Sequence, residues 1–261
     1  MKSDDVRDNV RRNYAKIARE RGGSCCGSSS CCSGPKTARD TSAQLGYSRE
    51  ELDAVPEDAN MGLGCGNPRA IAALQPGETV IDLGSGGGFD CFLAAQRVGP
   101  TGRVIGVDMT PDMIGKARQN ADIGSYANVE FRLGEIEALP VADGIVDVIM
   151  SNCVINLSPE KPRVYREACR VLKPGGRLAI SDIVALKPLP DDLKEDLALL
   201  SGCVAGAATV DELQRMLTEV GFTQIDIQVS EGSRAIIREW APGRGIENYV
   251  ASATITAVKG Y

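Results

Sequence analysis

The sequence predicts an α/β fold in which a mostly parallel β-sheet is covered by helices on both faces. Two observations support this prediction: short apolar segments recur along the chain, and helical segments alternate with them. Parallel strands need such crossovers, and strands covered on both faces are apolar throughout. The five predicted strands of the core are Thr79–Leu83, Arg103–Val107, Val129–Leu133, Val146–Ser151 and Arg177–Asp182.

Helical periodicity places the other elements around this sheet. Residues 4–20 carry apolar side chains at spacings of three and four, which predicts an amphipathic helix. The helix predicted from Lys161 to Leu172 ends before Pro174-Gly175-Gly176, because proline and glycine stop helices. Helices are also predicted at 49–54, 68–74, 89–98, 112–121, 191–200 and 210–220, and two last strands at 222–229 and 251–258. The rest of 36–60 is expected to be irregular, and a longer polar connection through Trp240 is expected to join the two last strands.

Composition changes along the chain predict three parts. Residues 22–35 are rich in glycine and serine and have little to bury, so we expect a mobile loop there. We therefore predict an N-terminal helix and cysteine-rich extension at 1–67, a core at 68–186, and a small cap-like portion with the last core strands at 187–261.

The bulk composition excludes several classes of function. The net charge of the 261 residues is -6, which repels phosphate backbones and argues against a nucleic-acid partner. No segment approaches the roughly 20 apolar residues of a membrane helix, and the charged N-terminus lacks an apolar signal core. We expect a cytoplasmic protein without a membrane partner. No long exposed apolar segment demands a partner subunit, so we expect a monomer.

Cysteine and histidine usage is unusual. The chain has nine cysteines and no histidine. An odd cysteine count without a signal peptide argues against a secreted disulfide framework and favours free thiols or ligands for a thiophilic centre. Without histidine, the commonest general base is missing, so any chemistry must proceed without imidazole.

A glycine-rich loop follows the first predicted strand. Asp82 precedes Gly84, Gly86 and Gly88 at spacings of two residues, where the strand turns into a helix. Such glycines let the backbone approach a ligand closely. Asp108 stands at the end of the second predicted strand, where an acid can accept both ribose hydroxyls of a nucleoside. A tight turn without any ligand is the alternative for the loop alone.

The loop resembles the first motif of class I S-adenosylmethionine-dependent methyltransferases, which have a Rossmann-like, doubly wound fold. Three later segments resemble further motifs of that superfamily in the same order: GEIEALP at 134–140, DVIMSN at 147–152 and RVLKPGG at 170–176. The resemblance implies S-adenosylmethionine as the cofactor. It also implies cofactor-binding roles for Asp82, Gly84, Gly86, Asp108, Met109, Glu135, Ile136 and Asn152, with the ribose on Asp108 and the adenine near Met109, Glu135 and Ile136. Tyr14 is a further candidate, on a helix that could fold over the cofactor.

Three cysteines occupy positions expected to face the methyl acceptor. Cys153 directly follows the DVIMSN segment, Cys65 lies in a glycine-rich turn before the core, and Cys203 lies in the part expected to cap the site. Cys91 and Cys169 lie on predicted helices among apolar neighbours, where a cysteine is an ordinary small hydrophobic residue.

The segments GCG around Cys65, SNCVINL around Cys153 and SGCVAGA around Cys203 resemble arsenite methyltransferases. The resemblance covers nearly the whole chain and implies that these three thiols bind As(III) and act in catalysis, in arsenic detoxification. It also implies As(III) on small thiols as the substrate form and an external dithiol reductant, such as thioredoxin or glutathione, as a partner. The doublets Cys25-Cys26 and Cys31-Cys32 are either delivery thiols or a tail that binds adventitious metal.

Two other functions are compatible with the same residues. One is methylation of a small organic acceptor, which normally needs a base or a large apolar pocket; only 4% of the residues are aromatic. The other is a non-catalytic thiol-based metal-binding protein in which the three cysteines hold zinc. Structural zinc sites usually have four ligands in closely spaced pairs, and the sequence contains no C-x-x-C pair.

Overall fold

The computed structural model describes residues 3–19, 37–194, 196, 199–200 and 203–260. The strands within these ranges are β1 Thr79–Leu83, β2 Arg103–Asp108, β3 Val129–Leu133, β4 Val146–Asn152, β5 Leu172–Ala185, β6 Ala208–Thr209, β7 Phe222–Ser230 and β8 Val250–Lys259. They form one sheet in the order β3-β2-β1-β4-β5-β8-β7, and β6 pairs with β5.

The sheet is parallel from β3 to β5 and antiparallel at β8 and β7. The central strands are almost fully buried along their length, as strands covered on both faces must be. The predicted α/β fold with a mostly parallel sheet is therefore confirmed. The chain order reverses between β1 and β4, which creates a crevice at the carboxyl ends of these two strands.

Helices cover both faces of this sheet. They are α1 Ser3–Arg19, α2 Ala38–Gln44, α3 Arg49–Asp53, α4 Pro68–Ala72, α5 Phe89–Val98, α6 Pro111–Gly124, α7 Lys161–Val171, α8 Asp191–Lys194, α9 Val210–Glu219 and α10 Ser233–Trp240. Three short 3-10 helices lie at Glu57–Ala59, Ile155–Leu157 and Ile246–Asn248. No helix in the described ranges combines the length and the apolar character that crossing a membrane requires.

The buried side chains form three clusters, and the third one surrounds the predicted acceptor site. The first cluster packs α7 and α9 on one face of the sheet, and the second packs α5 and α6 on the other. The third contains Val10 of α1, Ile237 of α10 and the cysteines at 65, 153 and 203. The N-terminal helix and the C-terminal portion thus meet over the carboxyl end of the core.

Two helices lie where the sequence predicts no helix. Helix α2 begins with a capping box, in which Thr37 and Asp40 each accept from the other's backbone N–H. Helix α10 forms because Ile237 is completely buried in the third cluster, a contact that only tertiary packing supplies. The predicted loop at 22–35, with its cysteine doublets, lies outside the described residues. The division of the chain at 67 and 186 stays a prediction.

Candidate active site

A cavity of about 510 Å³ opens at the crevice between β1 and β4. Seven of the residues predicted to bind the cofactor line it: Asp82, Gly84, Gly86, Asp108, Met109, Ile136 and Asn152. Tyr14 of α1 lines it too. These side chains come together because the carboxyl ends of neighbouring parallel strands meet at one edge of the sheet.

The glycine loop is shaped by close backbone packing. Gly84 has φ +68°, and a Cβ on it would lie 2.4 Å from Cγ2 of Val154. Its amide donates to the carbonyl of Val107 at 2.7 Å, which holds the loop against β2. Only glycine fits this conformation and this space, so the loop leaves its backbone open to the cavity.

Asp108 fastens the end of β2 to the glycine loop. Its Oδ2 accepts from the amide of Gly86 at 3.0 Å, and its Oδ1 accepts from the amide of Thr110 at 2.8 Å. Burial raises the pKa of this carboxyl. Each oxygen keeps acceptor capacity toward the cavity, which suits the two hydroxyls of a ribose.

Two buried carboxyl groups make one end of the cavity electronegative. Asp82 and Asp90 both line it and are almost fully buried. Burial, and then the neighbouring charge of Asp90, raise the pKa of Asp82 well above its ordinary value, and burial raises the pKa of Asp90. Tyr47 donates to Asp90 at 2.6 Å and Cys91 to Asp82 at 3.3 Å. A cationic ligand would relieve this accumulation of negative charge, and the methionine end of S-adenosylmethionine is cationic.

Asn152 joins this end of the cavity to the loop that carries Cys65. Its Oδ1 accepts from the amide of Cys65 at 3.0 Å. Its Nδ2 donates to the carbonyl of Gly66 at 2.9 Å and to the hydroxyl of Tyr47 at 3.2 Å. The side chain therefore orients the cysteine loop relative to the buried acids.

The three candidate cysteines converge from distant parts of the chain. Cys65, Cys153 and Cys203 are all buried and belong to one apolar cluster. The thiol of Cys203 also donates to the carbonyl of Cys153 at 2.6 Å. The sulfurs of Cys65 and Cys153 and a carboxylate oxygen of Asp182 lie within 4.8 Å of one another. Cys153 and Cys203 line the cavity, so the cysteine cluster forms part of its wall.

These thiols are protonated at neutral pH. Burial raises the pKa of Cys65 to about 11 and that of Cys153 well above its ordinary value. Hydrogen bonding with Cys153, and then burial, raise the pKa of Cys203. The raised pKa values favour the neutral form of all three thiols.

The two other described cysteines lie apart from this cluster. Cys91 is completely buried on α5 and supports Asp82 by its hydrogen bond. Cys169 is partly buried on α7 and packs against the first apolar cluster. Both positions agree with the structural interpretation of these residues.

Glu135 occupies a different setting from the other predicted cofactor residues. Its carboxylate pairs with Arg11 at 3.2 Å and with Arg7 at 3.7 Å, both on α1. From the same segment, Glu137 reaches the cavity wall, where it pairs with Arg7 at 3.3 Å. These ion pairs hold α1 along the cavity, and its far end is held by Arg19, which binds Asp112 of α6 at 2.7 Å.

Sequence reasoning missed three side chains of this site. Tyr47 lies in a segment without a recognisable motif, so no local pattern indicates it. Asp90 follows the glycine loop in the first turn of α5, where an acid on the buried face of a helix is a usable indication. Asp182 lies near the carboxyl end of β5 beside Cys153, and the position of that strand end could have revealed it.

The chain matches the family model of the methyltransferase domain over residues 74–221, which is more than half its length. Together with the sheet order, the glycine loop and the acid at the end of β2, this match defines a class I S-adenosylmethionine-dependent methyltransferase.

Curated relatives narrow this class. The chain is 53% identical to the arsenite methyltransferase of Halobacterium salinarum over 98% of its own length and 67% of that protein's. It is 38% identical to the human arsenite methyltransferase over 67% of its length and 48% of that protein's. The chain therefore belongs to the arsenite methyltransferase family, while it spans about half the length of the mammalian relatives it matches.

A solved structure agrees with this placement. The crystal structure of an arsenic(III) S-adenosylmethionine methyltransferase from Chlamydomonas reinhardtii has a TM-score of 0.61 and 33% identity, covering 87% of this chain and 75% of that one. A phosphoethanolamine N-methyltransferase from Haemonchus contortus reaches a TM-score of 0.63 at 17% identity, which shows the shared fold alone.

Proposed function

We propose that this chain transfers a methyl group from S-adenosylmethionine to As(III) held by Cys65, Cys153 and Cys203. The observation that carries the proposal is the buried cluster of Cys65, Cys153 and Cys203, of which Cys153 and Cys203 line the cavity that also carries the cofactor motif. Each half of the reaction thus has its own residues, and the two sets share one cavity wall.

The donor set suits trivalent arsenic. Thiolates prefer soft centres, and three of them bind As(III) as a pyramid whose lone pair stays free. Arsenite carries three hydroxyl groups, so each entering thiol gives its proton to a leaving hydroxide and three waters form. Binding then needs no net release of protons, which suits thiols whose pKa values are raised by burial and hydrogen bonding.

The residues of the site position the reacting groups. Bound S-adenosylmethionine supplies a methyl group on a positively charged sulfur. Asp82 and Asp90 line the cavity where they would face the methionine end, and Asp108 would accept from the ribose. Cys153 lies directly after Asn152, so its sulfur holds arsenic against the same wall of the cavity. Alignment of lone pair and methyl is the main source of catalysis.

The attacking lone pair of arsenic carries no proton. None therefore has to be removed as the As–C bond forms and the C–S bond of the cofactor breaks. The reaction therefore requires no general base, in agreement with the absence of histidine from the chain. Transfer oxidises arsenic by two electrons. Two of the cysteines then leave arsenic as one disulfide, and the two electrons they give up return arsenic to the trivalent state. An external dithiol reduces this disulfide and restores the thiols.

The delivery role of Cys25, Cys26, Cys31 and Cys32 and the part in arsenic detoxification are further elements of this proposal. They rest on the resemblance of the N-terminal doublets to the thiols that the family carries ahead of its core. A cytoplasmic location, in which small thiols present As(III), belongs to the same proposal.

Incubation of the protein with methyl-labelled S-adenosylmethionine, arsenite and a dithiol, followed by arsenic speciation, tests the proposed function. Label should appear in methylated arsenic, and S-adenosylhomocysteine should form in proportion. A protein that binds the cofactor but transfers label only to an added phenol or quinone would contradict the proposal. Zinc bound in place of arsenite, without turnover, would support the binding-only alternative instead.

A further inference from the structure

Two of the three proposed arsenic ligands have an unfavourable backbone conformation. Cys153 has φ +57° and Cys203 has φ +64°, the left-handed region that residues with a Cβ rarely adopt. In the described ranges, the other non-glycine residues of this kind cap α4 or α6 or lie at the irregular pairing of β7, so their positions follow from secondary structure. Such conformations persist only where surrounding contacts hold them. The contacts around these two cysteines therefore need an explanation.

Asp182 holds the turn that follows Cys153. It is buried on β5, in the strand whose Ser181 carbonyl accepts from the amide of Cys153 at 2.8 Å. Its Oδ2 accepts from the amides of Ile155 at 3.1 Å and Asn156 at 3.4 Å. Its Oδ1 accepts from the side chain of Asn156 at 3.0 Å and from the amide of Ile183 at 2.8 Å.

The loop carrying Cys203 rests on this same turn. A Cβ on Gly206 would lie 2.0 Å from the carbonyl oxygen of Asn156, so the two backbones are in direct contact. The side chain of Asn156 also donates to the carbonyl of Ile183 at 2.6 Å, which fixes the turn to β5. One buried pair of side chains, Asp182 and Asn156, thus supports the backbone at both cysteines.

The distance between Asp182 and the sulfurs of Cys65 and Cys153 would also suit a metal ligand. However, both of its oxygens already accept two N–H groups each, which accounts for its lone pairs. A carboxylate used in this way acts on the sulfurs through the backbone.

We propose that Asp182, together with Asn156, is a positioning residue that sets Cys153 and Cys203 for binding of As(III) by three sulfurs. The inference rests on the proposed function and names the residues that prepare its substrate site. Without this support, the cysteine backbones relax toward ordinary conformations and the three sulfurs no longer meet at one point.

The test is Asp182→Asn, which keeps the volume but turns an amide nitrogen toward backbone N–H donors. X-ray absorption of bound arsenite should count three sulfurs per arsenic in the unchanged protein and about two in the variant. The dissociation constant for arsenite should rise at least tenfold, while that for S-adenosylmethionine stays within twofold. Asp147→Asn is the matched control, because Asp147 accepts from Thr79 and Lys173 at the opposite end of the sheet.

A folded Asp182→Asn variant with three sulfurs on arsenic and unchanged affinity would overturn the inference. If arsenic in the variant keeps three sulfur neighbours but loses an oxygen neighbour, Asp182 is a ligand of arsenic, and this result would also overturn the inference. If that variant does not fold, Gly206→Ala replaces it and should also reduce the sulfur count to two, with Gly232→Ala as control, since no atom lies within 4 Å of a Cβ there. Failure of the unchanged protein to bind arsenite through sulfur would instead refute the proposed function.

Discussion

The cofactor side and the cysteine side of the cavity are built in different ways. The cofactor side comes from two neighbouring parallel strands and the loop between them, so Asp82, Gly84 and Asp108 lie within a short stretch of sequence. The cysteine side draws Cys65, Cys153 and Cys203 from three segments that meet only in the fold. The geometry of a contiguous motif tolerates substitutions elsewhere in the chain. The geometry of a cluster assembled from distant segments depends on every element that holds its members in place.

The largest expected effect is the loss of a single thiol of the cluster. Cys153→Ser removes the sulfur that lies within 4.8 Å of the sulfur of Cys65, at the residue whose carbonyl accepts from the thiol of Cys203. Because two sulfurs and a hydroxyl bind As(III) much more weakly than three sulfurs, methylation should fall at least 100-fold. Cys169→Ser, on α7 outside the cluster, is the matched control and should keep full activity. Arsenite titration and arsenic speciation measure the difference. Equal activity of the two variants would refute the proposal that three cysteines bind As(III).

The next effect separates the two sides of the cavity. Asp108→Ala removes the proposed acceptor of the ribose hydroxyls and the bond to the amide of Gly86. The loss of charge-assisted hydrogen bonds of about 1.5–3 kcal/mol should weaken cofactor binding by roughly 10- to 100-fold. Arsenite affinity should stay within twofold, because Asp108 contacts none of the three cysteines. Calorimetric titration with each ligand checks both values. Asp226→Ala, exposed on β7, is the control.

The pH dependence of cofactor binding tests the buried acids. The pKa values of Asp82 and Asp90 are raised by burial, so both groups take up protons at a higher pH than ordinary carboxyls. A cationic ligand binds best when they are ionised. Cofactor affinity should therefore be highest at pH values above both raised pKa values. It should decline by up to about tenfold per pH unit as the pH falls through them. Asp90→Asn should flatten this decline, and calorimetry between pH 8 and pH 5 would detect it.

The smallest effect concerns the connection between the two sides. Tyr47→Phe removes one of the two side-chain donors to Asp90, the other being Asn152, and it removes one acceptor of Asn152. Losing a hydrogen bond to a buried carboxyl costs about 1–3 kcal/mol of unfolding free energy, which a denaturant titration would measure. Turnover should fall severalfold, because Asn152 also orients the amide of Cys65. Both ligand affinities should change less than twofold. A loss confined to one ligand would show that the two sides are independent.

Much of this fold could be predicted because its patterns are local. Strand β1, strand β3 and helix α5 lie where apolar periodicity and the glycine loop place them. Helix α10 was missed because its formation depends on burying Ile237 against residues far away in the sequence. Seven of the eight predicted cofactor residues line the cavity, whereas the carboxylate of Glu135 pairs with Arg7 and Arg11.

The sequence by itself determined the five core strands and the glycine loop with its acids, and the resemblance to a family singled out three cysteines among nine as predicted ligands. Periodicity and turn chemistry act over a few residues, so these features can be recognised without knowing the fold. Only the tertiary structure decided that the three cysteines lie in one buried cluster, that Tyr47 joins Asp90 to Asn152, and that Asp182 supports the turn beside Cys153. These contacts join segments separated by dozens of residues, and the packing of the whole sheet sets their distances.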